Sequence, residues 1–207
     1  MLSVLKLVFD KLYDYNIDFR EIERPRKSRR LPVVLSRKEV RDIIANTSNL
    51  KHKAILATLY SLGLRKSEVI GLRIGDIDSG RMMVHIRGGK GNKDRYLGLP
   101  EKLLGLLKDY YRRYKPKDYL FEGQGRPGYS ARSVDMIFIH AVERADIRKH
   151  VTVHTLRHSF ATHLVESGVD IAYVQRLLGH ESVKTTMIYM HIARKKLTDI
   201  RSPFDNF

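Results

Sequence analysis

His154-Thr155-Leu156-Arg157-His158-Ser159-Phe160-Ala161-Thr162-His163-Leu164 decides how this chain is read, with Leu177-Leu178-Gly179-His180 and Ile188-Tyr189-Met190-His191 behind it. Its apolar spacing predicts a helix over roughly 154–167, stopped by Gly168. A second helix over 170–178 ends at Gly179, and a third over 183–195 is capped by Ser182. Working upstream, Ser130 suits the cap of a helix reaching about Ala145, and Pro100 the first position of one reaching about Tyr114. Met82 to Arg87 and Asp94 to Leu99 read as two strands around the turn Gly88-Gly89-Lys90-Gly91-Asn92-Lys93. Ala54 to Leu62 is an apolar helix that Gly63 can end in a left-handed cap, with a short helix from Lys66 to Leu72 after it. Ser36-Arg37-Lys38-Glu39 is a capping box that opens the first helix of the main domain, near residue 31. The expected fold class is mostly α with a small antiparallel β-sheet (α+β).

Residues 2–13 space Leu2, Leu5, Val8, Phe9 and Leu12 as an amphipathic helix. Arg24-Pro25-Arg26-Lys27-Ser28-Arg29-Arg30 then reads as an extended basic linker, because Pro25 and Pro32 discourage helix. Across all 207 residues, 39 Lys and Arg against 23 Asp and Glu give a net charge of +16, which favours a polyanionic partner. The absence of cysteine excludes a disulfide scaffold, a thiolate nucleophile and cysteine-ligated metal. No apolar run approaches the ~20 residues that span a bilayer. Charged residues interrupt the N-terminal apolar stretch, so it is not read as a signal peptide. These features point to a cytoplasmic protein bound to a polyanion.

Three local signals carry chemistry, and each has a plainer reading. In Gly63-Leu64-Arg65-Lys66-Ser67-Glu68, a turn could aim the Arg65 guanidinium into a cleft while Glu68 orients it, or the two could form a surface ion pair. Lys90 between Gly89 and Gly91 sits where a backbone can approach a phosphate closely, though the spacing is not that of a P-loop. His154 and Arg157 share a helix face in a first turn, where free N–H groups favour an anion. His154 and His158, four residues apart, could also pair on zinc, but the Glu of the HExxH pattern and any cysteine are missing. Tyr189 alone could be a core aromatic.

Taken in order, Arg65, Lys90, His154, Arg157, His180 and Tyr189 resemble the active-site set of the tyrosine recombinases, the site-specific integrase family that includes Xer-type and phage integrases. The matching stretches are SLGLRKSEVIGL, GGKGNKDRYLGLP, HTLRHSFATHL and LLGHESVKTTMIYMH, which span residues 59 to 192. The resemblance implies DNA breaking and rejoining through a covalent 3′-phosphotyrosine, with neither ATP nor a metal or other cofactor. Arg65 and Arg157 are then expected to hold the non-bridging phosphate oxygens, and Tyr189 to attack phosphorus. Lys90 is expected to protonate the leaving 5′-oxygen, His154 to assist Tyr189 as base, and His180 to donate a hydrogen bond to the phosphoryl group. Glu68 is expected to orient its neighbours.

The expected partner is double-stranded DNA, contacted by Arg24, Arg26, Lys27, Arg29, Arg30, Lys93, Arg95 and Arg132. The expected active unit is a homo-tetramer on two DNA sites, with a monomer compatible in the absence of DNA. Residues 1–30 are read as a remnant of a core-binding helix plus the interdomain linker, and 31–207 as the catalytic domain. Its tail after Tyr189 (Leu197, Ile200, Pro203, Phe204) could dock on a neighbouring protomer or fold back as an intramolecular helix. Two other readings are a type IB-like topoisomerase and a catalytically silent DNA-binding relative.

Overall fold

Ser36 opens the first helix by a reciprocal arrangement. Its hydroxyl accepts from the Glu39 N–H at 3.2 Å, and the Glu39 carboxylate accepts from the Ser36 N–H at 2.7 Å. The computed structural model describes residues 31–88, 94–123 and 128–193. Helix α1 (Arg37–Ala45) leads to α2 (Leu50–Ser61), which begins earlier than its apolar run suggests because the Asn49 side chain caps it, accepting from the His52 N–H. Ala54 to Leu59 are all buried in α2, so this helix is wrapped on every side rather than amphipathic. Gly63 then takes φ +59, and a Cβ there would run into the Phe160 ring, so both conformation and space demand glycine.

After α3 (Lys66–Gly71) a 3₁₀ turn at Ile74–Asp76 leads into a three-stranded antiparallel sheet in the order β1 (Ile77–Asp78), β2 (Met83–Ile86), β3 (Arg95–Gly98). The two-residue β1 lies outside the expected hairpin, being too short for an alternating pattern to show. Val84 pairs with Leu97 and Ile86 with Arg95, so Leu97 and Arg95 share the inward face of β3. On the other face Tyr96 stacks on His85, with ring centroids 4.6 Å apart.

Helices α4 (Glu101–Tyr114) and α5 (Ala131–Arg144) follow, with Pro100 as N-cap of α4 rather than its first helical residue. The C-terminal part is α6 (Val153–Glu166), α7 (Ile171–Leu178) and α8 (Val183–Ile192). Ser130, Asp170 and Ser182 cap α5, α7 and α8 through their side chains. Helix α8 stops at Ile192, short of the expected 195, where Ala193 turns extended.

Two apolar clusters organise these elements. The larger joins α1 to α5, the sheet and the start of α6. The smaller consists of Ala161, Val174, Leu178 and Tyr189, packed by Phe160, Leu164, Val165, Val169, Ile188 and Ile192. The amphipathic segment 2–13, the basic linker 24–30, the glycine-lysine turn 89–93 and the tail 196–207 lie outside the described residues.

Candidate active site

Glu68 is the hub of the site. Its side chain is only 5% exposed, yet three guanidiniums converge on it. Arg65 donates from Nη1 at 2.8 Å, and its own backbone N–H also reaches the carboxylate at 2.8 Å. Arg95 donates from Nη1 and Nη2, both at 2.9 Å, in a bidentate fork. Arg157 Nη1 lies 3.8 Å away. Burial raises the Glu68 pKa, but the Arg95 bonds, the Arg65 backbone N–H and the charges of Arg95 and Arg157 outweigh it and bring it down to about 2.

Further guanidinium N–H groups meet helix ends. Arg157, 1% exposed, donates to the Gly63 carbonyl at 2.7 Å and to the Leu178 carbonyl at 2.5 Å. Arg65 donates from Nη2 to the Gly179 carbonyl at 3.1 Å. The carbonyls beyond α2 and α7 lack helical partners and carry the negative end of the helix dipole, so they suit a cation. The two glycine stops legible in the sequence thus supply acceptors that hold the arginines. One carboxylate faces three guanidiniums, which leaves an excess of positive charge in a poorly hydrated place. Desolvation and the neighbouring Arg65 lower the Arg157 pKa to about 10. An anion would relieve that excess.

Tyr189 sits beside this cluster on α8, 2% exposed. Its hydroxyl lies 3.0 Å from His158 Nδ1. Burial raises the phenol pKa, and the charges of Arg157 and Arg65 pull against that rise. His158 and His180 are both lowered to about 4, first by desolvation. The nearby cations add to this: His154 and Arg157 at His158, Arg157 and Arg65 at His180. His180 lies nearly parallel to Tyr189 with centroids 6.4 Å apart, and its Nδ1 is 3.0 Å from the Thr186 hydroxyl. His154 is exposed and stands edge-on to His158 at 4.5 Å between centroids. Its pKa too is lowered, by desolvation and then by Arg157 and Arg65.

Arg65, Glu68, His154, Arg157, His180 and Tyr189 therefore gather at one locality, while Lys90 lies outside the described residues. Arg95 and Arg157 stand elsewhere than the sequence suggests. Arg95, expected on the DNA surface, is 11% exposed and spends all three nitrogens inside the protein, with Nε donating to the Leu177 carbonyl at 3.0 Å. The alternation of Arg95, Leu97 and Leu99 was the signal that it points inward. The base expected for Tyr189 was His154, but the imidazole in contact with the phenol is His158, whose place four residues after His154 suggested only a zinc pair. Arg157 also sits beyond the first turn of α6 and is buried, whereas His154 is in that turn. Arg132 is exposed and lines an open groove of about 420 Å³ with His52, Met136, His140 and Arg144. Arg24, Arg26, Lys27, Arg29, Arg30 and Lys93 lie outside the described residues. Among the described residues no group of three or more His, Asp or Glu side chains could hold a metal ion, and no helix is long and apolar enough to cross a membrane.

Residues 33–196 match the phage integrase family. The chain belongs to that family. Among integrase-family relatives, an integrase/recombinase of Sinorhizobium fredii is 45% identical over 183 residues, which are 87% of this chain and 59% of that protein. A tyrosine recombinase of Thermosipho africanus is 40% identical over 188 residues, 89% of this chain and 66% of that one. The chain thus spans less than two thirds of the length of these relatives. The crystal structure of XerA recombinase superposes with a TM-score of 0.73 at 31% identity, covering 99% of this chain and 73% of that one. XerH recombinase bound to a palindromic difH substrate, in a post-cleavage complex, gives a TM-score of 0.77 at 25% identity and covers 92% and 59%. The mostly helical fold with one small antiparallel sheet is that of the integrase-family catalytic domain.

Proposed function

We propose that this chain is the catalytic part of a site-specific tyrosine recombinase that cleaves and rejoins DNA through a 3′-phosphotyrosine at Tyr189. The observation that carries the reading is a buried tyrosine whose phenol feels the charges of Arg157 and Arg65, two of the three guanidiniums gathered on one buried carboxylate. A phosphodiester carries the negative charge this cluster lacks, and the charge grows on the non-bridging oxygens as the phenol attacks. Arg65 and Arg157 bind those oxygens. His154, exposed at the start of α6, assists Tyr189 as base, and His180 Nε2 donates to the phosphoryl group. Lys90 protonates the 5′-oxygen as it leaves, because an alkoxide departs poorly without a proton. Glu68 and Arg95 hold Arg65 in place and touch no substrate.

The partner is double-stranded DNA, a reading supported by the XerH relative's complex with its palindromic difH substrate. Arg132 contacts the backbone from α5, and the basic segment 24–30 with Lys93 adds further phosphate contacts. Residues 1–30 are the end of a core-binding domain and its linker, and 31–207 are the catalytic domain. Four protomers act on two sites, with the segment after Tyr189 docking on a neighbour, and the protein works at the nucleoid. The relatives named as recombinases leave the topoisomerase reading without a specific observation in its favour.

Covalent trapping tests the proposal. The protein is mixed with nicked plasmid and genomic DNA without metal or ATP, then denatured. DNA-linked protein is expected from the wild type and none from Tyr189→Phe, with DNA binding retained in both. No adduct from the wild type, or an adduct that survives Tyr189→Phe, overturns it. Sequencing the attached ends gives the target site.

A further inference from the structure

Helix α5 keeps its large apolar side chains inside, with two exceptions. Val134, Ile137, Phe138 and Val142 are buried, whereas Met136 is 41% exposed and Ile139 43%. A lone exposed apolar residue is ordinary on a protein surface, but these two are neighbours three residues apart. With Arg132 and Glu143, both exposed, they hold the i, i+4, i+7 and i+11 positions of one ridge down the outer face of the helix.

An open space flanks the ridge on each side. Met136 lines the groove of about 420 Å³ with Arg132, His140 and Arg144. Ile139 lines a hollow of about 540 Å³ with Lys66, Asp135 and His154. Asp135 accepts from Lys66 Nζ at 2.6 Å, so it sets no bare negative charge against a phosphate. Glu143, at the far end of the helix, lies 3.2 Å from His140 Nδ1. The two apolar side chains therefore stand among Arg132, Lys66, His140 and Arg144. An occupant must offer negative charge at its edges and an apolar group between them. Double-stranded DNA does so in its major groove, about 12 Å wide and able to admit an α-helix, with phosphates along both rims and the thymine 5-methyl group on its floor.

We propose that Met136 and Ile139 are specificity-determining residues that read the 5-methyl groups of thymines in the major groove. This rests on the double-stranded DNA partner proposed above. Neither side chain carries a strong hydrogen-bond donor, so what each can sense on a base edge is the methyl group itself. Cytosine, with hydrogen at that position, leaves the contact empty. The Lys66–Asp135 bond ties α5 to the start of α3, where Arg65 stands, and both helices are packed in the larger core. The ridge and the guanidinium that holds the phosphate thus keep a fixed separation. At about 3.4 Å of rise per base pair, the thymines read lie within about five base pairs of the cleaved phosphate. Methyl contact then sets where the strand is cut as well as how tightly DNA is held.

The experiment selects a duplex from a random pool by binding to the full chain. Each thymine is then replaced singly by uracil, which keeps the base pair and removes only the methyl group. Affinity is measured for wild type, Met136→Ala, Ile139→Ala and Ile139→Val. Wild type should lose about threefold to fivefold at the contacted thymines, the value of one buried methyl. The penalty should vanish from at least one position in Ile139→Ala and from at least one in Met136→Ala, and persist in Ile139→Val. Arg132→Ala should instead weaken thymine and uracil duplexes alike and lower the salt slope by about one. The sensitive thymines should fall within about five base pairs of the ends sequenced from the trapped adduct. A wild type indifferent to every uracil, or a pool that yields no preferred sequence, overturns the proposal. So does a uracil penalty that both alanine variants retain in full, the result expected if the ridge packs on a second copy of the chain. A uracil penalty without any Tyr189 adduct keeps the thymine contact and sinks the recombinase reading, and an adduct without a uracil penalty does the reverse.

Discussion

The larger core and the smaller one do different work. The larger ties together five helices and the sheet, and it fixes Arg65, Glu68 and Arg95 on α3 and β3. The smaller has four buried side chains among the described residues, and one of them is Tyr189 itself. The charge-stabilising half of the site thus stands on the most extensively packed part of the molecule, and the nucleophile on the least. Local stability follows buried apolar contact, so α7 and α8 should open more readily than α2. A site divided this way can keep its arginines in position while the tyrosine moves to meet a phosphate. Tyr189 and Arg157 are almost fully buried here, so some such movement is needed before either touches DNA.

The largest expected effect comes from removing the hub. Glu68→Ala leaves three guanidiniums without their carboxylate and should cost about 3–5 kcal/mol, the usual loss when one partner of a buried ion pair is removed. Urea unfolding checks it, and a loss under about 1 kcal/mol would show that the helix-end carbonyls alone hold the arginines.

Acid should separate the two halves. The Glu68 pKa is lowered from 4.5 to about 2, so its stabilising contribution is complete above pH 4.5 and vanishes as pH falls through 2. That contribution is on the order of 3 kcal/mol at neutral pH. His158 and His180 are lowered from 6.5 to about 4. Each is neutral in the fold but binds a proton in the unfolded chain, so their contribution is complete above 6.5 and is lost on the way down to 4. Hydrogen exchange against pH should therefore show α8 loosening before α3. Simultaneous loosening would erase the distinction between the halves.

Leu178→Ala, in the smaller core, should cost about 2–4 kcal/mol by cavity formation. Its exchange signature should be confined to α7 and α8, whereas Leu56→Ala should raise exchange throughout. Equal spread for both would mean a single cooperative core. The smallest effect is expected of Thr186→Val, which removes the hydroxyl beside His180 Nδ1 for about 1 kcal/mol. A cleavage rate lowered at a temperature well below a melting point displaced by only about 2–4 °C would sharpen the view that Thr186 orients His180.

Much of this molecule is legible from local sequence. Ser36, Ser130 and Ser182 cap helices because a hydroxyl reaches an N–H two or three residues away, whatever the rest of the chain does. Gly63, Gly168 and Gly179 stop helices because only glycine takes a positive φ without cost. The order of the motifs likewise singles out Arg65, Glu68, His154, Arg157, His180 and Tyr189. Pairings across long separations were not legible. Arg95 meets Glu68 over 27 residues, His158 meets Tyr189 over 31, and Arg157 meets the Gly63 carbonyl over 94. Such contacts depend on how helices and strands pack, and a single-chain pattern leaves several partners open to each charged group. Residue type and short spacing therefore determined which side chains do chemistry. The tertiary structure decided which of them is held by Glu68, which caps a helix end, and which imidazole stands against the nucleophile.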